Sequence, residues 1–289
     1  MPTIRITDLL PDIVELPAPY PKTEGFSGIY LGKDAVMTRI WTGHLLKLLG
    51  GEMIVTPHLL NVGFNEPHVT RMLTSLIQPG DTFVDVGANI GYYSVLGAFR
   101  AWPDGRVWTF EPQPRAYQLH SDNLMMNGFD VIAERHRLAL SDHDGVAEMR
   151  FFEDYEATAT LREMPSDYVE NTERQTGRTS QTIEVPVARL DDIMRDVSRI
   201  DVMKIDAEGH EPAIIRGARE IIERSPKIKI VMEFVPTDIG RVEAAAHLSL
   251  LRNLGLSIWI IEHDGTLSPQ PDDAALLQIP FADLLLLKS

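Results

Sequence analysis

Short apolar runs alternate with segments of helical periodicity along most of the chain after Glu66. In the first helical segment, apolar residues recur at three- and four-residue spacing, and Pro79-Gly80 ends the pattern. The pattern predicts strands at residues 82–86, 106–110, 131–140, 202–205, 228–234 and 256–261. It predicts the intervening helices at residues 92–101, 115–126, 212–224 and 241–254. Strands that alternate with helices predict an α/β fold, in which helices cover both faces of a parallel sheet.

The N-terminal part of the chain lacks this alternation. β-Rich runs at residues 35–41 and 53–56 lie on either side of Gly50-Gly51. Residues 1–60 are therefore expected to form a cap or hairpin region ahead of a main domain at residues 61–289.

Two later segments also depart from the alternation. Residues 153–182 are polar and lack a clear period, which predicts a long insertion that either covers a site or lies on the surface. Residues 283–287 are apolar and follow a turn-rich stretch instead of a helix. This favours a final strand that is inserted antiparallel.

Composition and charge exclude several classes of partner. The chain carries 27 basic and 42 acidic side chains, a formal charge of −15, and shows no basic cluster, so we expect no nucleic-acid partner and prefer a neutral or cationic ligand. No apolar run reaches the length of a membrane helix, and the N-terminus lacks a signal pattern, so we expect a cytoplasmic protein that does not insert into membranes. The absence of cysteine excludes disulfides, thiolate metal sites and a cysteine nucleophile.

A glycine loop joins the first predicted strand of the main domain to the helix after it. The run Asp85-Val86-Gly87-Ala88-Asn89-Ile90-Gly91 fits a nucleotide cradle, because glycines allow close approach and a helix N-terminus offers free N–H groups. A dinucleotide loop has glycine where Asn89 stands, and the carboxylate of Asp85 repels phosphates but attracts cations. The loop therefore favours S-adenosylmethionine, which carries an ammonium and a sulfonium group.

The next strand ends in Glu111-Pro112, about 20 residues beyond the glycine loop. An acid at this point is placed to accept hydrogen bonds from ribose hydroxyls, and Pro112 closes the strand. NAD sites share this feature, so it indicates adenosine without choosing the cofactor.

An acidic cluster follows the strand at residues 202–205. Asp206, Glu208 and His210 come directly after it, and Glu233 ends the next strand along. The carboxyl ends of parallel strands meet at one edge of the sheet, so these residues should lie near the reactive end of the cofactor. Alternatively, Glu208 only favours the helix N-terminus, and His210 is an exposed loop residue. All four are possible metal ligands, but their spacing is not diagnostic, and we expect no metal.

The chain resembles the FkbM family of S-adenosylmethionine-dependent methyltransferases. The resemblance rests on Asn65-Glu66-Pro67, the run from Asp85 to Tyr93, Phe110-Glu111-Pro112 with Asn123 and Asn127 downstream, Val187 to Asp192, and Lys204 to Glu211. It implies a Rossmann-like class I methyltransferase fold, with a seven-stranded, mostly parallel sheet whose last strand is antiparallel.

The resemblance also implies a cofactor site and a substrate class. Ser141 is expected to border the adenine, and Glu66 to close over the methionine end. The expected cofactor residues are Glu66, Asp85, Gly87, Asn89, Gly91, Glu111, Pro112, Ser141 and Asp206. The implied acceptor is a hydroxyl group on a small molecule, sugar, glycolipid or secondary metabolite, and the implied product is S-adenosylhomocysteine.

Methyl transfer to a hydroxyl needs alignment and a base that takes the proton. The candidates for this catalytic role are Asp206, Glu208, His210 and Glu233. Three alternatives remain open: an NAD-dependent oxidoreductase, a cofactor-binding protein without catalysis, and a methyltransferase acting on nitrogen or on a protein side chain.

Overall fold

The computed structural model describes residues 3–17, 28–153, 155–269 and 272–288. Its N-terminal elements are α1 (Ile6–Leu9), β1 (Ile29–Gly32), β2 (Ala35–Arg39), β3 (Leu45–Leu49), α2 (Val55–Val62) and α3 (Pro67–Leu76). The middle of the chain forms β4 (Thr82–Val86), α4 (Tyr92–Ala101), β5 (Arg106–Phe110), α5 (Pro114–Met126), β6 (Ala133–His136), β7 (Ala139–Leu140), β8 (Gly145–Phe152), β9 (Tyr155–Thr160), α6 (Ser166–Thr176), β10 (Ser180–Ala188) and α7 (Leu190–Ile193). The last part forms β11 (Val202–Ile205), α8 (Glu211–Gly217), α9 (Arg219–Arg224), β12 (Lys229–Phe234), α10 (Pro236–Ile239), α11 (Arg241–Asn253), β13 (Leu256–Ile261), β14 (Leu267–Ser268), α12 (Asp273–Leu276) and β15 (Ala282–Lys288).

The largest sheet has the strand order β14-β13-β15-β12-β11-β4-β5-β6. Neighbouring strands from β12 to β6 are parallel, whereas β15 lies antiparallel between β12 and β13. The predicted α/β architecture with an antiparallel final strand is therefore confirmed. The structure adds the two-residue strand β14 at one edge, and it places the short helix α12 ahead of β15, where the sequence pattern showed only turns.

Alternate residues of the central strands enter two hydrophobic cores. Phe83 packs in the core that contains the buried faces of α3 and α4, whereas its neighbour Val84 belongs to the core beneath α8, α9 and α11. Val202 and Met203 on β11 divide in the same way. Helices therefore cover both faces of the sheet, and the loops at the strand ends are left for polar chemistry. Among the residues described, no helix is long and apolar enough to cross a membrane.

The N-terminal region forms a three-stranded antiparallel sheet, β1-β2-β3, instead of the predicted pair of runs. The expectation of a strand at residues 53–56 is wrong, because these residues lead into helix α2. The carboxylate of Glu52 accepts hydrogen bonds from the backbone N–H groups of Ile54 (2.8 Å) and Thr56 (2.7 Å), and this caps the helix. Residues 18–27 of this region lie outside the described part, and the division at residue 60 stays a prediction.

The polar insertion at residues 153–182 is more regular than its sequence indicated. It contributes β9 and the start of β10 to a second sheet with the order β7-β10-β8-β9, and it forms helix α6 between these strands. β7 belongs to this sheet, so the single strand predicted at residues 131–140 is divided between two sheets. Residue 154 lies outside the described part.

The helix predicted at residues 212–224 is broken at Ala218 into α8 and α9. The carboxylate of Asp191, on α7, accepts hydrogen bonds from the backbone N–H groups of Glu220 (3.0 Å) and Ile221 (2.8 Å). A side chain from elsewhere in the fold therefore caps the second helix, which the local pattern could not show.

Asn123 on α5 and Asn127, the C-cap residue of this helix, attach the N-terminal sheet to the main sheet layer. Asn127 accepts from the backbone N–H of Leu45 (3.0 Å) and donates to its carbonyl (2.7 Å). Asn123 accepts from Lys47 N–H (2.6 Å) and donates to the Lys47 carbonyl (3.0 Å) and to the Ile90 carbonyl in the glycine loop (2.8 Å). We call these two residues the asparagine clip; it joins β3, α5 and the glycine loop.

Asn123→Ala should lower the free energy of unfolding by about 1–3 kcal/mol, because buried backbone groups lose their partners. Urea denaturation followed by circular dichroism measures the change. The control is Asp122→Ala, which removes a part-exposed ion pair with Lys47 (2.8 Å) and should cost about 0–1 kcal/mol. Equal losses in the two variants would contradict the structural importance of the clip.

Candidate functional site

Two adjoining cavities lie beyond the carboxyl ends of β4, β5, β11 and β12. The first has about 660 Å³ of empty space, is open to solvent, and is mostly apolar; it is lined by Val86, Gly87, Asn89, Phe110, Glu111, Pro112, Leu138, Ala139, Leu140, Met149, Ala159, Leu161, Asp206, Ala207, Glu208, His210 and Ile214. The second has about 970 Å³ and is lined by Ile54, Val55, His58, Asn65, Glu66, Pro67, Gly87, Ala88, Asn89, Ile90, Tyr92, Tyr93, Thr158, Lys204, Asp206, Glu208 and Glu233. The residues common to both are Gly87, Asn89, Asp206 and Glu208, so the cavities form one cleft.

The glycine loop forms the floor where the cavities meet. Gly87 has a φ of 73°, and a Cβ atom there would lie 1.8 Å from the carbonyl oxygen of Asp206. Only glycine therefore allows the ends of β4 and β11 to approach this closely. Asn89 also has a positive φ, 48°, a conformation that asparagine adopts more readily than most residues. Gly91 is the N-cap of α4 and lines neither cavity.

Asp85 lies behind this loop and lines neither cavity. Its side chain is fully buried, it accepts a hydrogen bond from Ser94 Oγ (2.6 Å), and burial raises its pKa. Ser94 in turn contacts His120 Nε2 (3.1 Å). The structure thus corrects the expectation that this carboxylate faces a ligand, because the side chain turns from the strand end toward α4.

Glu111 lines the first cavity, as expected. One carboxylate oxygen accepts from the backbone N–H of Asn89 (2.7 Å), and the other accepts from that of Gln113 (2.8 Å). Burial raises the pKa of Glu111 to about 7. The side chain therefore fixes the glycine loop and retains free lone pairs for a ligand hydroxyl.

His210 and Ser141 lie together on the side of the first cavity. His210 lines that cavity and contacts Ser141 Oγ through Nε2 (3.1 Å), whereas Ser141 is buried behind it and lines neither cavity. Burial lowers the pKa of His210, which favours a neutral ring. His210 is therefore separated from Glu233, which lines only the second cavity.

Asp206, Glu208 and Glu233 form the carboxyl cluster of the cleft. Carboxylate oxygens from the three side chains lie within 4.8 Å of one another. Burial and the charge of Asp206 raise the pKa of Glu208 to about 8 and that of Glu233 to about 10. Such a cluster could hold a cation, although exposed acidic groups often occur without one. The expectation of no metal stays a prediction.

Lys204 lines the second cavity but is not among the site residues predicted from the sequence. Its side chain is only 6% exposed, and Nζ lies 2.9 Å from Asp206 Oδ2 and 4.8 Å from the centre of the Tyr93 ring. Burial alone lowers the pKa of Lys204, but Asp206, Asp85 and Glu66 reverse this and raise it. Its position inside an apolar strand could have marked Lys204 as a site residue, because a buried charge needs partners of opposite sign.

Glu66 closes the second cavity at the start of α3. It has a φ of 39° and accepts a hydrogen bond from the Tyr93 hydroxyl (2.7 Å). Burial, and then the charge of Asp206, raise the pKa of Glu66. Its expected place over the methionine end of a cofactor stays a prediction.

Two walls of the cleft come from segments without a recognisable motif. The insertion supplies Ala159 and Leu161 to the first cavity and Thr158 to the second, and Thr160 Oγ1 donates to the Glu208 carbonyl (2.8 Å). The insertion therefore reaches the site instead of lying only on the surface. Opposite it, α2 and the residue before it supply part of the second cavity.

Glu233→Gln should increase stability at alkaline pH by roughly 1 kcal/mol. The folded pKa of about 10 exceeds the ordinary 4.5, so between these values the folded state binds more protons and stability falls as pH rises. Thermal unfolding at pH 5 and pH 8.5 measures the effect, which should be larger at the higher pH. Glu163→Gln, at an exposed position, should change neither value; a pH-independent effect of Glu233→Gln would contradict the raised pKa.

Comparison with known proteins gives a consistent group of relatives. A family model described as "Methyltransferase FkbM domain" matches residues 85–258. Methyltransferase sdnD of Sordaria araneosa is 29% identical over 162 residues, which cover 49% of this chain and 62% of that protein. The 31-O-demethyl-FK506 methyltransferase FkbM of Streptomyces tacrolimicus is 29% identical over 208 residues, covering 65% and 76%. The hexuronic acid methyltransferase AglP of Haloferax volcanii is 25% identical over 188 residues, covering 64% and 70%. The chain thus spans about three fifths of the length of sdnD.

Proposed function

The chain belongs to the FkbM family of methyltransferases, and we propose that it transfers a methyl group from S-adenosylmethionine to a hydroxyl oxygen of a small molecule or carbohydrate. The observation that carries this proposal is the joined pair of cavities. Glu111 faces one of them, and the carboxyl cluster lies where they meet. The first cavity suits an adenosine group, and the second leaves room for the methionine end and an acceptor.

The residues of the cleft fit this cofactor. Glu111 would hold the ribose hydroxyls, and Phe110, Leu140 and Ile214 offer apolar surface to an adenine. Glu66 and Asp206 would face the positively charged end. When bound, S-adenosylmethionine supplies an electrophilic methyl group, so the protein has to align the acceptor and receive its proton.

Glu208 is the general base that this geometry favours. It lines both cavities and has a φ of 51°, a strained conformation of the kind that often occurs at functional sites. Its pKa of about 8 lies near a neutral working pH, so the ionised form that a base needs is populated there and increases as the pH rises toward 8. As the acceptor oxygen attacks, the methyl carbon would exchange its bond to sulfur for a bond to that oxygen, and the acceptor proton would pass to the ionised carboxylate of Glu208.

The other three candidates have different positions. Glu233, with a pKa of about 10, keeps its proton at neutral pH and therefore donates a hydrogen bond. Asp206 is paired with Lys204, and His210 contacts Ser141 in the first cavity. We therefore assign orientation of the acceptor to Glu233, charge balance to Asp206, and support of the cavity wall to His210.

Glu208→Gln should lower kcat by about 10²–10⁴-fold, because the amide cannot accept the proton. Affinity for S-adenosylhomocysteine should change little by comparison. Steady-state assays with labelled cofactor and isothermal titration calorimetry separate the two effects, with Glu163→Gln as the control. An unchanged kcat would remove Glu208 from the role of base.

The cofactor assignment predicts that the wild-type protein binds S-adenosylhomocysteine and that Glu111→Ala weakens binding by about 1.5–3 kcal/mol. Glu111→Gln, which retains one acceptor oxygen, should have a smaller effect. Calorimetry with S-adenosylhomocysteine and with NAD tests this directly. Binding of NAD alone would instead support an oxidoreductase.

The acceptor should be neutral or positively charged, because Glu66, Asp206 and Glu208 outnumber Lys204 on the cavity wall, whereas Glu233 keeps its proton and adds no charge. FkbM and AglP are named for 31-O-demethyl-FK506 and for a hexuronic acid, respectively. An acidic acceptor such as a hexuronic acid would face like charge here.

Three matched probes test the acceptor class: methyl glucoside, methyl glucosaminide and methyl glucuronide. The first two should accept labelled methyl groups with kcat/KM at least about tenfold above the third, because like charges in contact cost several kcal/mol. Preference for the glucuronide would contradict the charge argument. Cofactor binding with transfer to none of the three, or to an amino group only, would favour the cofactor-binding protein or the nitrogen methyltransferase.

A further inference from the structure

Helix α2 and the residue before it form one side of the second cavity. Ile54, Val55 and His58 line this side, and Glu208 and Glu233 line the same cavity. His58 is exposed, and Ile54 keeps 42% of its surface exposed. This side of the cleft therefore offers both a hydrogen-bonding ring and apolar surface to whatever enters.

The wall is held in place from three directions. Glu52 caps the start of α2 through two backbone N–H groups. The asparagine clip fixes β3, the strand before it. Arg178, which follows α6, donates to the Gly51 carbonyl (3.1 Å) and so links this wall to the insertion on the other side. A wall held in this way can discriminate between ligands by shape and hydrogen bonding.

The described polar contacts of the glycine loop come from other residues. Glu111 binds the Asn89 N–H, and Asn123 binds the Ile90 carbonyl. Within the described part of the chain, no hydrogen bond joins His58 to the loop, and its ring meets Phe64 edge-on at 6.2 Å. Helix α2 therefore lines the cleft but does not hold the glycine loop in place.

We propose that α2 is the acceptor-binding wall and that His58 determines acceptor specificity by hydrogen bonding to a polyhydroxylated ligand. The ligand class is a neutral ring compound with several hydroxyls and an apolar face, such as a pyranoside. Its hydroxyls meet His58 and the carboxyl cluster, and its apolar face meets Ile54. This inference rests on the proposed function, because it takes the first cavity as the cofactor half of the cleft.

The absence of cysteine makes a direct test possible, because His58→Cys carries a single thiol. Its matched control is Asn61→Cys, at an exposed position on the same helix that does not line the cavity. Each variant, loaded with S-adenosylhomocysteine, is reacted with a maleimide while methyl glucoside is titrated. Methyl glucoside should slow labelling at position 58 by about twofold when half of the sites are filled, and should not slow it at position 61.

The labelled proteins give a second readout. The maleimide adduct of His58→Cys should abolish methyl transfer to methyl glucoside and leave the Kd for S-adenosylhomocysteine within about twofold, because only the acceptor half is blocked. The adduct of Asn61→Cys should retain both activities. His58→Gln should raise KM for the glucoside with kcat little changed, which separates a lost contact from misfolding.

Three results would overturn the assignment of α2: no protection at position 58, equal protection at both positions, or an adduct at position 58 that weakens cofactor binding as much as turnover. A wild-type protein that does not bind S-adenosylhomocysteine would refute the proposed function itself. The two failures are therefore distinguishable.

Discussion

The approach of the β4 tip to the residue after β11 determines how the cleft is built. With a Cβ atom, residue 87 would collide with the Asp206 carbonyl oxygen at 1.8 Å, so the two strand ends meet only because Gly87 has no side chain. This contact places the glycine loop and the acidic loop at one point. The two cavities join there, and Glu208 faces both of them. A sterically required glycine thus aligns a ligand cradle with a set of ionisable groups.

The charge balance of the cleft depends on Lys204, a buried cation on strand β11. Lys204 is almost fully buried, bonds Asp206 and lies over the Tyr93 ring. Without it, the buried Asp85 and the half-buried Asp206 and Glu66 would lack a compensating charge, which is costly for carboxylates withdrawn from water. The carboxyl groups further from the lysine, above all Glu233, avoid ionisation by keeping their protons. The cleft therefore contains both ionised and protonated carboxyl groups.

The sequence predicted the strands and helices of the main sheet well, because apolar periodicity is a local property that burial on both faces makes strong. It failed where a side-chain contact overrides the apolar pattern. The Glu52 carboxylate caps a helix that begins within the β-rich residues 53–56, and Asp191, about 30 residues away in sequence, caps the helix that follows the break at Ala218. The same limit applies to the site. Strand-end position predicted that Glu111, Asp206 and Glu208 lie at one edge of the sheet, and all three line the cleft, although their roles stay predictions; it could not show that Asp85 turns inward. The walls from α2 and the insertion carry no motif and emerge only from tertiary packing.

The asparagine clip has a consequence for how this scaffold tolerates sequence change. The side-chain amides of Asn123 and Asn127 form hydrogen bonds with main-chain N–H and C=O groups of Lys47 and Leu45. These hydrogen bonds therefore do not depend on which side chains β3 carries. These bonds persist through any change of side chain that keeps the backbone of β3 extended. The attachment therefore tolerates sequence drift at the half-buried Leu45 and Lys47 themselves, whereas the buried Leu46 and Leu48 are constrained by the core. The glycine loop has no such freedom at Gly87.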